Sequence, residues 1–178
     1  LSLGVSGSAG ELGHMTIDPN GPECSCGNRG CWEVYADEPA MLSRAFEACS
    51  SSRDSLLFQS FGVDNNRLTI ETIIRAARQG DPTAVEIIRE SGWYLGIGIT
   101  NIVNGLNPDM VVIGGRVATS ELALDEIKQV VLERGLQIPT QNVSIAPTQL
   151  GSKVTLMGCI ALLLDLLLEQ PEGRINTN

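Results

Sequence analysis

His14, Cys24, Cys26 and Cys31 crowd into one stretch, GELGHMTIDPNGPECSCGNRGCWE, which holds the only histidine and three of the five cysteines of a 178-residue chain. One imidazole and three thiols within 18 residues make up the donor set of a closed, four-coordinate zinc site. With every position filled by protein, such a zinc is structural, because no open position remains to activate water. The ligand spacings of 10, 2 and 5 residues are not those of a zinc finger, so no DNA-reading finger is implied. Gly27 and Gly30 suit the tight curl that would aim the sulfurs at a common point. The alternative is a disulfide with a spare thiol. Cys24 and Cys26 are too close to bridge comfortably, and nothing else marks the chain as secreted. Cys49 and Cys159 read as small core residues.

The elements that must hold this loop can be read from punctuation and periodicity. A loop to Gly13, a short strand at about 15–17 and the turn-rich Asp18-Pro19-Asn20-Gly21-Pro22 lead into it. A helix starts near Cys31 and pauses at Pro39, and a second runs to about Cys49. Residues 50–67 read as irregular and partly mobile, anchored by Leu56, Leu57 and Phe58. Helical periodicity returns from Thr69 to Gln79, with Gly80 as a stop. Asp81-Pro82 supplies an N-cap and a first-turn proline for a long helix to about Leu106. Gly92, Gly96 and Gly98 would each weaken that helix by about 1 kcal/mol, so their presence points to close packing against another helix or backbone. Asp109 to Ile113 is a continuously apolar strand of the kind buried on both faces, and Gly114-Gly115 turns the chain. Ser120 caps a helix to about Arg134, Val143-Ser144-Ile145 is a second strand, and an apolar helix follows from Val154. This alternation favours an α/β layered domain.

Composition bounds what the chain can do. At 43% hydrophobic and 4% aromatic, the core must be aliphatic. A net charge of −9 with only two lysines leaves no basic face for nucleic acid and fits an acidic cytoplasmic protein. The apolar run Val154–Leu168 is 15 residues long and carries Asp165; it is too short for a membrane span and fits a buried helix. No signal peptide opens the sequence, and its first residues read as the middle of a longer chain.

The segments AGELGH and CSCGNRGCWE together resemble the motifs of the ROK family (repressors, uncharacterised reading frames and sugar kinases). NPDMVVIGG, Asn107 to Gly115, resembles the family's later strand-and-glycine element, and Gly158-Cys159-Ile160-Ala161 its small-residue opening of a late helix. The resemblance implies the carboxy-terminal lobe of an actin-like ATPase (ribonuclease H-like) fold, spanning 1–178. Its parts would be a zinc- and sugar-binding loop at 10–36, a helical segment at 38–106, strand-helix-strand-helix at 109–169 and a tail at 170–178. It further implies that His14, Cys24, Cys26 and Cys31 ligate zinc, that Glu11, His14 and Glu33 contact a sugar, and that Gly114 and Gly115 approach ATP if the protein is a kinase. Taken alone, Glu11 would be a surface acid, Glu33 would be favourable at a helix start through the helix dipole, and the two glycines would be a tight turn.

Two functions follow from the resemblance. One is the sugar-sensing effector lobe of a transcriptional regulator, a homodimer that reaches DNA only through a domain upstream of Leu1. The other is the carboxy-terminal lobe of an ATP-dependent, glucokinase-like sugar kinase. The amino-terminal lobe, with the catalytic aspartate of the kinases, is expected upstream as well, so no catalytic residue is expected in this chain and it should be inactive alone. Arg116, where the kinases often have a third glycine, and Asp37, where they favour a small serine, incline the reading toward the regulator.

Overall fold

The structure, a computed structural model, describes residues 4–51, 55–61 and 68–168, and the chain divides between Pro147 and Thr148 into two compact units. The first unit is organised around one long helix. After a 3₁₀ turn at Leu12–His14 come α1 (Glu33–Ala36), α2 (Glu38–Ser51), α3 (Leu56–Phe61), α4 (Ile70–Arg78) and α5 (Pro82–Leu106). Strand β1 (Met110–Ile113), a 3₁₀ turn at Val117–Thr119, α6 (Glu121–Arg134), α7 (Gln137–Asn142) and β2 (Ser144–Pro147) complete it. The two strands pair in parallel, Val111 opposite Ile145, with α6 and α7 in the connection. The α/β alternation expected from the sequence is present.

The boundaries follow local chemistry. Thr69 and Thr72 form a reciprocal capping box at the start of α4. Asp81 caps α5 ahead of Pro82, and Asn107 ends that helix in the left-handed region at φ 45°, a conformation asparagine tolerates. Ser120 caps α6. Asp37 Oδ1 accepts the Ala40 N–H at 2.7 Å and so caps α2.

Helix α5 is the spine because its glycines let other elements come close. A Cβ at Gly92 would lie 2.9 Å from Glu126 Cβ, and one at Gly96 would lie 2.6 Å from Val130 Cβ, both on α6. A Cβ at Gly98 would overlap the indole ring of Trp32. Two aliphatic clusters flank the spine. Met41, Leu57, Ile73, Ile74 and Ile88 pack where α2, α3 and α4 meet α5. Ile99, Val103, Ile113, Ile127 and Val131 pack between α5, α6 and β1, with Trp32 against them.

Several sequence expectations are corrected. Leu56–Phe61 is helical, its first turn capped by Ser55 Oγ, which accepts the Phe58 N–H at 3.0 Å; residues 52–54 and 62–67 of the segment expected to be irregular and partly mobile lie outside the described residues. Helix α7 was not foreseen; its Pro139 stands in the first turn, where its missing N–H has no partner to lose. Strand β1 is not buried on both faces: Met110 and Val112 are exposed while Ile113 is buried, because a two-stranded sheet in this unit has its helices on one side. In the second unit a 3₁₀ turn at Gly151–Lys153 leads to α8 (Val154–Leu168). The helix was expected to be buried; within its own unit Leu156, Leu163 and Leu167 are exposed, since that unit offers α8 no second helix or strand to pack on among the described residues. There, no helix is long and apolar enough to cross a membrane.

Asp81 is 2% exposed and its carboxylate accepts N–H groups from Ala84 at 2.8 Å, Leu56 at 2.6 Å and Leu57 at 3.4 Å. It therefore joins the amino ends of α3 and α5. Asp81→Ala strands buried donors at both, and urea denaturation should show a loss of about 3 kcal/mol. A loss near zero would mean that water replaces the carboxylate.

Candidate metal centre and sugar face

A small antiparallel pairing brings the cluster together. Trp32 N–H donates to Met15 O at 2.7 Å and Ile17 N–H to Gly30 O at 2.9 Å, which folds residues 15–17 against 30–32 and sets His14 beside Cys31 and Glu33. The short strand expected at 15–17 is thus reduced to a single bridge, Thr16 to Cys31. A second bridge, Glu23 to Arg29, closes the knuckle that carries Cys24 and Cys26. Within it Cys24 N–H donates to Asn28 O at 2.8 Å and Gly27 N–H to Cys24 O at 3.0 Å. Gly30 is required at its position: its φ is +63° and a Cβ would run into the Asp18 carbonyl.

The four donor atoms of His14, Cys24, Cys26 and Cys31 lie within 4.8 Å of one another. Cys24 Sγ stands 3.6 Å from His14 Nδ1, and Cys26 Sγ 3.6 Å from Cys31 Sγ. Zinc–sulfur bonds of about 2.3 Å and zinc–nitrogen bonds of about 2.0 Å give tetrahedral edges of about 3.5–3.8 Å, so both spacings fit ligands around a common ion. All five cysteines are free thiols; the disulfide alternative is not realised. The donor set therefore fits a zinc ion.

The sulfurs differ in their surroundings. The backbone N–H of Asn28 holds the Cys26 thiol below its ordinary value. Burial, reinforced by the neighbouring Cys24 and Cys26 sulfurs, pushes Cys31 up to about 12. A sulfur so disfavoured as an anion becomes a thiolate near neutral pH only beside a cation. The His14 imidazole is raised, chiefly by its contact with Cys24 and further by the Glu33 and Glu11 charges, against the opposing effect of burial.

Of the expected sugar residues, Glu33 stands against the His14 ring. Glu33 Oε1 lies 3.4 Å from His14 Nδ1 and 3.1 Å from Cys24 Sγ. A Cβ at Gly13 would meet Glu33 Oε2 at 3.2 Å, so the GELGH turn and Glu33 are in close approach. Glu11 is exposed one residue before the 3₁₀ turn at Leu12–His14. Because Nδ1 faces the sulfurs and Glu33, Nε2 is the ring nitrogen left for another partner, an assignment the sequence did not contain.

Gly114 and Gly115 stand at the end of β1, Gly115 with φ +85°. Beside them Arg116 pairs with Glu38 on α2 and, at 2.7 Å, with Glu71 on α4. A separate groove of about 740 Å³ on α5 and α6, lined by residues such as Glu86, Arg89 and Trp93, includes none of the expected site residues.

Sequence reasoning missed the parts that hold the loop down. Trp32 Nε1–H donates to Tyr94 O at 2.7 Å, Tyr35 stacks on Tyr94 with centroids 4.8 Å apart, and Tyr35 Oη donates to Asp18 Oδ2 at 3.1 Å. The signal was a tryptophan lodged between two residues of the motif, together with a helix glycine whose partner was unnamed.

Comparison with known proteins places this geometry. The profile of the ROK family matches residues 1–166. The chain belongs to the ROK family. It is 35% identical over 170 residues to the xylose repressor of Bacillus subtilis (strain 168), covering 95% of this chain and 40% of the repressor. The chain thus spans about two fifths of the length of that relative. Among solved structures it is similar to a ROK family glucokinase from Streptomyces griseus in complex with glucose and AMPPNP. The TM-score is 0.78 at 32% identity, over 88% of this chain and 51% of the kinase. A ROK family transcriptional regulator, a homolog of the E. coli MLC protein, gives a TM-score of 0.70 at 34% identity, over 79% of this chain and 35% of the regulator. The α/β fold is the one this ROK chain shares with both kinds of relative.

If the cluster binds zinc, metal analysis of carefully prepared protein should find about one zinc per chain. Thiols and imidazole bind a cation only when deprotonated, so lowering the pH from about 7.5 to about 5.5 should weaken zinc binding. The raised His14 moves the onset of that competition above the pH expected for an ordinary histidine. Clearly substoichiometric metal, or an affinity independent of pH, would contradict the assignment.

Proposed function

We propose that this chain is the sugar-sensing effector lobe of a ROK-family transcriptional regulator, with zinc held by His14, Cys24, Cys26 and Cys31 and a sugar met by Glu11, His14 and Glu33. The observation that carries this reading is the identity to a xylose repressor across 95% of the chain. In it, residues 1–178 are the carboxy-terminal lobe of the actin-like fold, the protein is a cytoplasmic homodimer, and DNA is bound by a domain outside this chain.

Zinc, when bound, would neutralise the thiolates and crosslink the loop, as a structural ion. The rest is done by the side chains. His14 turns Nδ1 toward the sulfurs, so its neutral ring carries the proton on Nε2 and offers a sugar hydroxyl one donor. Glu11 and Glu33 are acceptors, each able to take two hydroxyl hydrogens in fixed geometry. A sugar therefore meets one donor and two carboxylates, with His14 and Glu33 set beside each other by the paired segments 15–17 and 30–32. Sugar changes operator affinity only if it binds the two states of the regulator unequally.

The second reading, the carboxy-terminal lobe of an ATP-dependent sugar kinase, is favoured by the TM-score of 0.78 to the Streptomyces griseus glucokinase. In that case Gly114 and Gly115 would lie against the nucleotide. Asp37 does not separate the readings, because its place as the cap of α2 is one that serine fills equally well. Arg116 keeps a bulky, doubly paired side chain beside Gly115 and supports the regulator.

Titration calorimetry of the full-length protein with D-xylose, D-glucose and N-acetylglucosamine should give saturable binding of one sugar, and that sugar should shift operator affinity. Glu33→Gln should weaken it about tenfold or more with zinc content unchanged; joint loss of zinc would make Glu33 a support of the loop instead. Robust ADP release with any hexose would overturn a purely regulatory role.

A further inference from the structure

The loop that carries Cys31 and Glu33 is short of its own structure. Its pairing is limited to two isolated bridges among the described residues, and α1, which follows it, is four residues long. Such a loop cannot hold ligand atoms still by itself. Trp32 lies between Cys31 and Glu33, and its backbone and side chain act in opposite directions. The backbone N–H donates to Met15 O in the loop at 2.7 Å. The indole leaves the loop and packs, partly buried, against the second apolar cluster, to which Ile99 and Val103 belong. There it occupies a notch that exists only because residue 98 lacks a Cβ, and its Nε1–H donates to Tyr94 O at 2.7 Å.

The donor is well matched to its acceptor. Tyr94 O is a carbonyl in the interior of α5, and Trp32 supplies it with a donor from outside the helix, four residues before the glycine that makes room for the ring. The seat is therefore specific in shape and in polarity, and a ring of another size or without an N–H fills it less well. Neighbouring contacts hold the same place on α5: Tyr35 stacks on Tyr94 and Arg44 donates to Tyr35 O at 2.8 Å and to Ser91 Oγ at 2.7 Å.

We propose that Trp32 is the positioning residue of the metal and sugar loop: its indole, seated in the Gly98 notch and bonded to Tyr94 O, fixes Cys31 and Glu33 to the α5 spine. This rests on the reading of the cluster as a metal site. Trp32 touches neither metal nor sugar in this account; it acts through the two residues beside it. Outer residues that orient metal ligands typically contribute about 10- to 100-fold in affinity, and that is the range assigned to Trp32.

Cobalt(II) tests this in the full-length protein, because the visible absorption of its tetrahedral thiolate complex reports ligand geometry without any assay of function. Trp32→Phe should weaken cobalt binding about tenfold and Gly98→Ala about tenfold or more, with an altered visible spectrum and unchanged far-ultraviolet dichroism. In a Trp32→Leu background the added Gly98→Ala should cost almost nothing further, because the ring it displaces is gone. Gly92→Ala is the control for general destabilisation: it crowds α6 at Glu126 and should leave cobalt affinity unchanged. Wild-type affinity in Trp32→Phe, additive effects of Trp32→Leu and Gly98→Ala, or an equal loss in Gly92→Ala would overturn the positioning role while the metal site stands. A wild-type protein with no tetrahedral cobalt spectrum would overturn both.

Discussion

Everything proposed for this site depends on one short antiparallel pairing, in which Trp32 N–H meets Met15 O and Ile17 N–H meets Gly30 O. It closes a loop of about a dozen residues and puts the histidine that precedes one segment beside the last cysteine and the glutamate of the other. Two hydrogen bonds in a solvated loop contribute only about 1 kcal/mol each, too little to hold four donor atoms within 4.8 Å against chain entropy. Two other constraints must help. One is the seat of the loop on α5. The other is the crosslink that a bound ion would supply, in which binding and local folding are a single equilibrium.

The α5 spine makes the seat possible. A 25-residue helix with four glycines is weak by propensity, and the loss at three of them is offset by what the missing side chains admit. Gly92 and Gly96 let α6 approach closely, and Gly98 admits an indole. The same helix that orders the apolar clusters therefore also orders the loop. Asp81 adds a polar tie at its amino end by accepting N–H groups from α3 and α5 together. The candidate site sits on the most heavily packed element of the fold.

Much of this was legible in the sequence, for reasons that are local. Asp81-Pro82, Ser120 and the Thr69 start are caps whose chemistry is complete within a turn of helix, so the bounds of α4, α5 and α6 could be read directly. The His14–Cys31 cluster was legible because three thiols and an imidazole so close together have few other uses. What escaped depends on distant partners. Trp32 was silent because its meaning lies at Gly98, 66 positions away. The choice of Nδ1 over Nε2 on His14 is set by where Cys24 and Glu33 stand in space. The bareness of Met110 and Val112 follows from the number of strands in the sheet, which an apolar run cannot report. Asp37, which inclined the reading toward the regulator, also caps α2, a role set by the helix that follows it.

In the function proposed, metal occupancy of the His14–Cys31 cluster organises the sugar face of Glu11, His14 and Glu33. The most direct measurement is sugar titration calorimetry on the full-length protein as isolated, after removal of zinc by a chelator, and after zinc is restored. Sugar binding should be lost with the metal and return with it, while the helical dichroism of the α5 core persists throughout. Undiminished sugar affinity in the metal-free protein would contradict it.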